Sequence, residues 1–300
     1  MRCWPAGRSR SWVNDSWSGC ARPWRRPVSG RDERQPPALG RPRIADDLRA
    51  LGVRPGVCLL VHCGLRRVGP LERGPATLAG ALRDALGPAG TLLVPTQNDG
   101  NSTTSRTHLA ATAGMDRAQR ARYEAALPGW DRRNTPSERM GAFAEFVRRA
   151  PGAVRSDHPQ TSFAALGPQA RHLTDDHALT CHLGERSPVG RLYAADGQIL
   201  LLGVGFEACS ALHLAEYHLP APPERDYHCF RLVDGQRVRL DFRASDLDDR
   251  DFPQLGDALD AASLVRRGPV GRSVAYLLSA RAIVDFAVGW LAENRSTARH

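Results

Sequence analysis

VCLLVHCGLRRVGPLERGPATLAGALRDALGPAGTLLVP, residues Val57–Pro95, decides the fold. Val57–His62 is a short apolar run of the kind that forms a buried strand. A glycine-rich loop follows, and Pro75 then opens a segment that ends at Gly87. Proline just inside a helix start and glycine just past its end is the expected asymmetry. Thr91–Pro95 is a second apolar run. Strand, helix and strand at this spacing predict a parallel βαβ unit.

Similar signals extend outward. IADDLRALG, beginning at Ile44, has helical spacing and stops at Gly52. Gln97–Thr112 is polar and reads as a long loop, a place where function often sits. In TPSERMGAFAEFVRRAPG, Thr135 is a candidate N-cap, Pro136 the first helical residue and Glu138 the return partner of a capping box. Ser162–Leu166 reads as a strand, and Ser187–Pro188 opens a helix running to Tyr193. QILLLGVG, from Gln198, is another buried strand. FRLVDGQRVRLDF alternates about Asp234–Gly235 and predicts a hairpin. The C-terminal SARAIVDFAVGWLAE places Ile283, Phe286, Ala287 and Trp290 on one helix face. The expected fold is α/β: a mixed sheet with a parallel central part, flanking helices and an antiparallel hairpin.

The chain has 300 residues, 42% of them apolar, enough to bury a full core. No apolar run approaches the roughly 18–20 residues of a membrane helix, so no membrane partner is expected. The net charge is +9, and every basic residue is Arg. Ten of those Arg, against three acids, fall within residues 1–43, so the rest is nearly balanced. Nucleic-acid binding by the body is therefore not expected. Residues 1–43 read as a disordered, basic Arg/Trp/Pro-rich extension, and 44–300 as a single α/β domain. The seven Cys are scattered, odd in number and free of CxxC pairs. That argues against a secreted disulfide framework and for thiols in a reducing cytoplasm.

ILLLGVGFEACSALHLAEYH, Ile199–His218, carries the chemistry. If its second half is helical, His213 and Glu216 lie three apart on one face. A carboxylate beside an imidazole holds one ring nitrogen protonated and leaves the other free to accept a proton. The bland alternative is a buried histidine satisfied by a neighbouring carboxylate. HxxE could also supply two metal ligands, but no further ligands are evident and no metal is expected. Gly203-Val-Gly-Phe-Glu-Ala208 matches a dinucleotide pattern, with Glu224 about 20 residues on. Proline-rich HLPAPPERD stands where that motif needs a second strand. SDHPQTSFAALG places His158 and Ser162 beside a strand, as site groups or as a solvated turn. VHCGL enters a loop that could receive an anion, but it lacks the lysine of a P-loop.

Together, LLVH, ALGPAGTLLVPT, PGAVRSDHPQTSFAALG, LGERSP and LLLGVGFEACSALHLAEY resemble the aminoglycoside 3-N-acetyltransferase family, from about Ile44 to Glu293. The resemblance implies transfer of acetyl from acetyl-CoA to an amine of a deoxystreptamine-type antibiotic, hence antibiotic resistance. It implies His213 as general base with Glu216 behind it, and His158 as a lesser catalytic candidate. His62, Cys63, Gly64 and Leu65 fall on the cofactor side, as does Ser162. The implied partner is a small polycationic amine, to whose pocket the acid-rich Asp246–Asp251 could contribute. The implied assembly is a monomer or homodimer. Two departures stand out. The family's HSSL is His62-Cys63-Gly64-Leu65 here, and its Asn-Thr-Ser is Cys209-Ser210-Ala211. They motivate an alternative: a weakened or inactive homologue that binds CoA or an aminated sugar without turnover.

Overall fold

A computed structural model of the chain describes residues 37–296. The deciding stretch forms β1 (Cys58–Cys63), the helix Pro75–Leu86 and β2 (Thr91–Pro95), with β1 and β2 parallel. The remaining strands are β3 (Val154–Arg155), β4 (Phe163–Leu166), β5 (Gln198–Leu202), β6 (Glu224–Val233), β7 (Gln236–Ser245), β8 (Arg266–Val270) and β9 (Ser273–Ser279). Seven of them form one sheet in the order β3-β4-β2-β1-β5-β9-β8. β1 lies between two parallel neighbours, β2 and β5. The flanking strands are antiparallel. β6 and β7 form a separate hairpin, turned by Asp234 and Gly235, both with positive φ.

The central strands are apolar on both faces because both are covered. Leu60, Leu93, Ile199 and Leu201 point to one core, where Phe252, Ile283, Ala287 and Leu291 pack. Leu59, Val61, Leu92 and Leu200 point to the other, built with Ile44, Leu48, Leu82 and Phe143. Successive strand residues face opposite sides, so one short run feeds both layers.

The helix start at Thr135 and the all-loop reading of Gln97–Thr112 are corrected, and two further segments are located. The first helix is Arg41–Leu51, and Leu39 bridges Leu71, so folded structure begins before Ile44. Residues 1–36, which hold most of the expected extension, lie outside the described residues. The capping box at Thr135 does not form, and the helix is Gly141–Arg148. Thr135 Oγ1 accepts from Asp131 N at 2.7 Å, and Glu138 accepts from the backbone of Asp99 and Gly100. Positive φ at Arg139 and Gly141 also interrupts a helical path there. The long polar segment is not all loop: Arg106–Ala111 is helical, capped by Ser105. Finally, GVGFEA leads from β5 into short 3-10 turns, and Glu224 opens the separate hairpin. The βαβ unit that a dinucleotide needs is missing there.

The turns after β1 and β5 touch. Gly64 N donates to Leu202 O at 2.9 Å, and a Cβ built on Gly64 would stand 2.5 Å from Gly203 O. Only a residue without a side chain fits against that carbonyl. Gly64→Ser, which restores the family's usual hydroxyl, is therefore expected to destabilise the fold by about 1–3 kcal/mol, as crowding in packed sites does. Urea denaturation of both proteins measures it, and equal midpoints would refute the close approach.

Candidate active site

Ligands of open α/β sheets bind beyond the carboxyl ends of parallel strands. Here β1 ends at His62 and Cys63, β2 at Pro95, and β5 leads to Val204. A cavity of about 280 Å³ opens there, lined by His62, Cys63, Gln97, Ser210, His213 and the carboxylates Glu207 and Asp249. Met140 and Phe143 form an apolar wall. A larger cleft, about 650 Å³, joins it at Cys63, Val204 and Glu207 and runs past Gly64, Leu65, Arg66 and Arg67.

His213 begins the short helix His213–Tyr217, so Glu216 stands one turn later on the same side. His213 Nδ1 lies 2.6 Å from Glu216 Oε2. An ionised carboxylate only accepts, so Nδ1 carries the proton and Nε2 is left as the acceptor. Glu216 is 2% exposed. Its second oxygen accepts from Asp248 N at 3.0 Å and from the Arg295 guanidinium. Arg295 also donates to both carboxylate oxygens of Asp251 at 2.7 Å and to Asp248 O. Three donors thus compensate a buried negative charge that would otherwise be costly. The His213 ring packs on Phe252, with centroids 4.7 Å apart.

The other expected residues separate into two groups. His62 lines the cavity, and Cys63 lines both spaces. Gly64 and Leu65 line the larger cleft. Burial lowers His62 to about 4, so its ring is neutral, and its Nε2 has no partner among the described residues. Burial pushes the Cys63 and Cys209 thiols up to about 12, which leaves neither as a thiolate nucleophile.

His158 and Ser162 line neither of the two spaces. His158 is fully buried; Nε2 bonds Leu179 O, while Nδ1 accepts from Gln160 N and Thr161 N. Both nitrogens are used to hold a proline turn, so the ring has none to offer a substrate. Ser162 Oγ donates to Thr96 O and accepts from Arg155 Nε, also fully buried.

Sequence reasoning missed Arg295, Glu207 and Phe252. For Arg295 a signal existed. Ile283, Ala287 and Leu291 form a fully buried stripe at spacings of four, and Arg295 continues it. A cation on a buried helix face needs a buried acceptor. Among the described residues, no group of three or more His, Cys, Asp or Glu side chains is placed to hold a metal. No described helix is long and apolar enough to cross a membrane.

Solved acetyltransferases share this architecture. AAC-IIIb, determined as a binary complex with CoASH, superposes with a TM-score of 0.76 at 30% identity, covering 86% of this chain and 97% of that one. AAC-VIa bound to sisomicin gives 0.73 at 32%, covering 86% and 98%. Aminoglycoside N(3)-acetyltransferase VII of Streptomyces paromomycinus is 39% identical over 270 residues, covering 85% of this chain and 92% of its own. The family profile described as aminoglycoside 3-N-acetyltransferase matches residues 60–292. The chain belongs to the aminoglycoside 3-N-acetyltransferase family.

Four buried histidines make a pH prediction. Burial lowers His62 and His177 to about 4 and His182 to about 3. Burial, with His182 and His177 beside it, holds His158 well below 6.5. The unfolded chain therefore binds more protons than the folded one between about pH 6.5 and 4. Stability falls as pH drops through that window, by up to about 1.4 kcal/mol per histidine per pH unit. Urea midpoints at pH 7.5 and 5 check this; a midpoint unchanged at pH 5 would contradict it.

Proposed function

We propose that this chain N-acetylates an aminoglycoside-type antibiotic at the 3-amino group of its deoxystreptamine ring, with acetyl-CoA as donor and His213 as general base. The observation that carries the reading is the His213–Glu216–Arg295 arrangement, whose imidazole lines a cavity that also holds Glu207 and Asp249. The family relationship supports the reaction class. Structures of relatives hold CoASH, sisomicin or a gentamicin.

The larger cleft fits the donor. Its walls are glycine-rich at Gly64, Gly69, Gly74, Gly141 and Gly203, and Arg66 and Arg67 supply positive charge along it. Backbone without side chains admits a long chain, and arginine forks suit phosphate oxygens. When bound, acetyl-CoA supplies the acetyl group as a reactive thioester. Cys63, Val204 and Glu207 stand where that cleft meets the cavity.

An alkylammonium has a reference pKa of about 10.4, so it is protonated and unreactive near neutrality. His213 Nε2 takes its proton as the nitrogen becomes a nucleophile. Glu216, held by Arg295, stabilises the resulting imidazolium, and the proton is then available to the leaving group. Glu207 and Asp249 favour a polycation over a neutral amine. No covalent intermediate on the chain is needed, and the raised Cys63 thiol argues against one.

Thiol release from acetyl-CoA with a panel of aminoglycosides tests the activity. Turnover with at least one deoxystreptamine antibiotic is expected. Tight CoA binding without release across the panel would favour the non-turning homologue that Cys63 and Gly64 motivate. His213→Ala and Glu216→Gln are each expected to lower kcat by about 10²–10⁴ while circular dichroism stays unchanged. Full turnover by His213→Ala would remove the mechanism.

A further inference from the structure

A second concave site lies at the outer edge of the sheet, beside β3. It encloses about 470 Å³ and is lined by Arg132, Arg133, Arg148, Arg155 and Arg171. They come from four separate places: the loop before Thr135, the end of the helix Gly141–Arg148, β3, and the helix Ala170–Thr174. It shares no lining residue with the two spaces of the active site.

Arg155 is the unusual member. It is 6% exposed, and its guanidinium donates only to uncharged acceptors: Thr96 O and Thr135 O at 2.6 Å, and Ser162 Oγ at 2.9 Å. Burial and the neighbouring Arg148 lower it to about 10. Glu145 and Asp131 act on it only at a distance; no carboxylate among the described residues bonds to it. The carboxylate of Glu145 is already committed to Arg148. Arg133 and Arg171 are exposed at the rim, and their side chains have no acceptor among the described residues. Arg132 uses only its Nε, on Arg155 O. Exposed guanidinium groups therefore line the same hollow as a buried cation that no carboxylate contacts among the described residues.

We propose that this cleft binds a small ligand carrying two or more linked phosphate groups. Arginine forks match phosphate oxygens in pairs, and several forks around one hollow suit several phosphates. The enclosed volume suits a nucleotide-sized molecule rather than an extended backbone.

The test is calorimetry on the full chain at constant ionic strength, with pyrophosphate, ATP, inorganic phosphate and CoA as separate titrants. Saturable binding of pyrophosphate or ATP at one site is expected, stronger than that of inorganic phosphate. The pair Arg133→Ala and Arg171→Ala should weaken it at least about tenfold, the loss expected for charged hydrogen bonds. Both side chains are exposed, so thermal melting should be unchanged; Arg171→Gln alone should give a smaller loss. Acetyl transfer by the double variant should keep its kcat, and Arg66→Ala should leave pyrophosphate binding intact. The proposal is overturned by no saturable binding, or by binding that the double variant retains. Loss of binding with Arg66→Ala, which would place the ligand in the donor cleft, also overturns it. So does stoichiometric binding of a single-stranded oligonucleotide at several copies per chain, the mark of a diffuse basic surface.

Discussion

A single buried carboxylate organises this molecule's chemistry. Glu216 is almost wholly out of water, and a charge there is tolerated only where donors surround it. The donors are His213 one turn away and two from distant segments, the backbone of Asp248 and Arg295 in the last turn of the C-terminal helix. Arg295 in turn is fixed by Asp251. The orientation of one imidazole is thus secured by contacts that span 79 residues of chain. Loosening any of them would cost the ring its aim as well as the fold some stability.

The sheet supplies the frame for that arrangement. Three parallel strands deliver their carboxyl ends to one edge, where the backbone stops pairing and side chains can meet a ligand. Close approach of the turns after β1 and β5 keeps Cys63 and Val204 together at the junction of cavity and cleft. Gly64 permits this contact, so its departure from the family's usual serine has a packing consequence as well as a chemical one. Side chains pack on both faces of the sheet, and the two spaces meet beyond its carboxyl ends.

Much of this was legible in the chain. The β1–helix–β2 unit, β5 and the hairpin follow from unbroken apolar runs punctuated by glycine, proline and Asp234–Gly235, all local signals. His213 with Glu216 was legible because three residues of spacing put them on one helical face. What was not legible depends on distant partners. Thr135 and Glu138 carry the letters of a capping box, but Asp131, Asp99 and Gly100 compete for them and win. At His158 the partners of Nδ1, Gln160 and Thr161, are local, but Leu179, which holds Nε2, is 21 residues away and leaves no local signal. Arg295 was readable only as a cation continuing a buried stripe, without any hint of which carboxylate it meets.

The central claim is that Glu216 fixes the His213 ring with the proton on Nδ1 and a bare, basic Nε2. Nitrogen-15 NMR of histidine-labelled protein at mildly alkaline pH reads this directly, with the His213→Gln variant identifying the signal. A proton coupled to Nδ1 and none on Nε2 is the predicted result. A proton resident on Nε2 would contradict the account, because that ring could not accept one from a substrate amine.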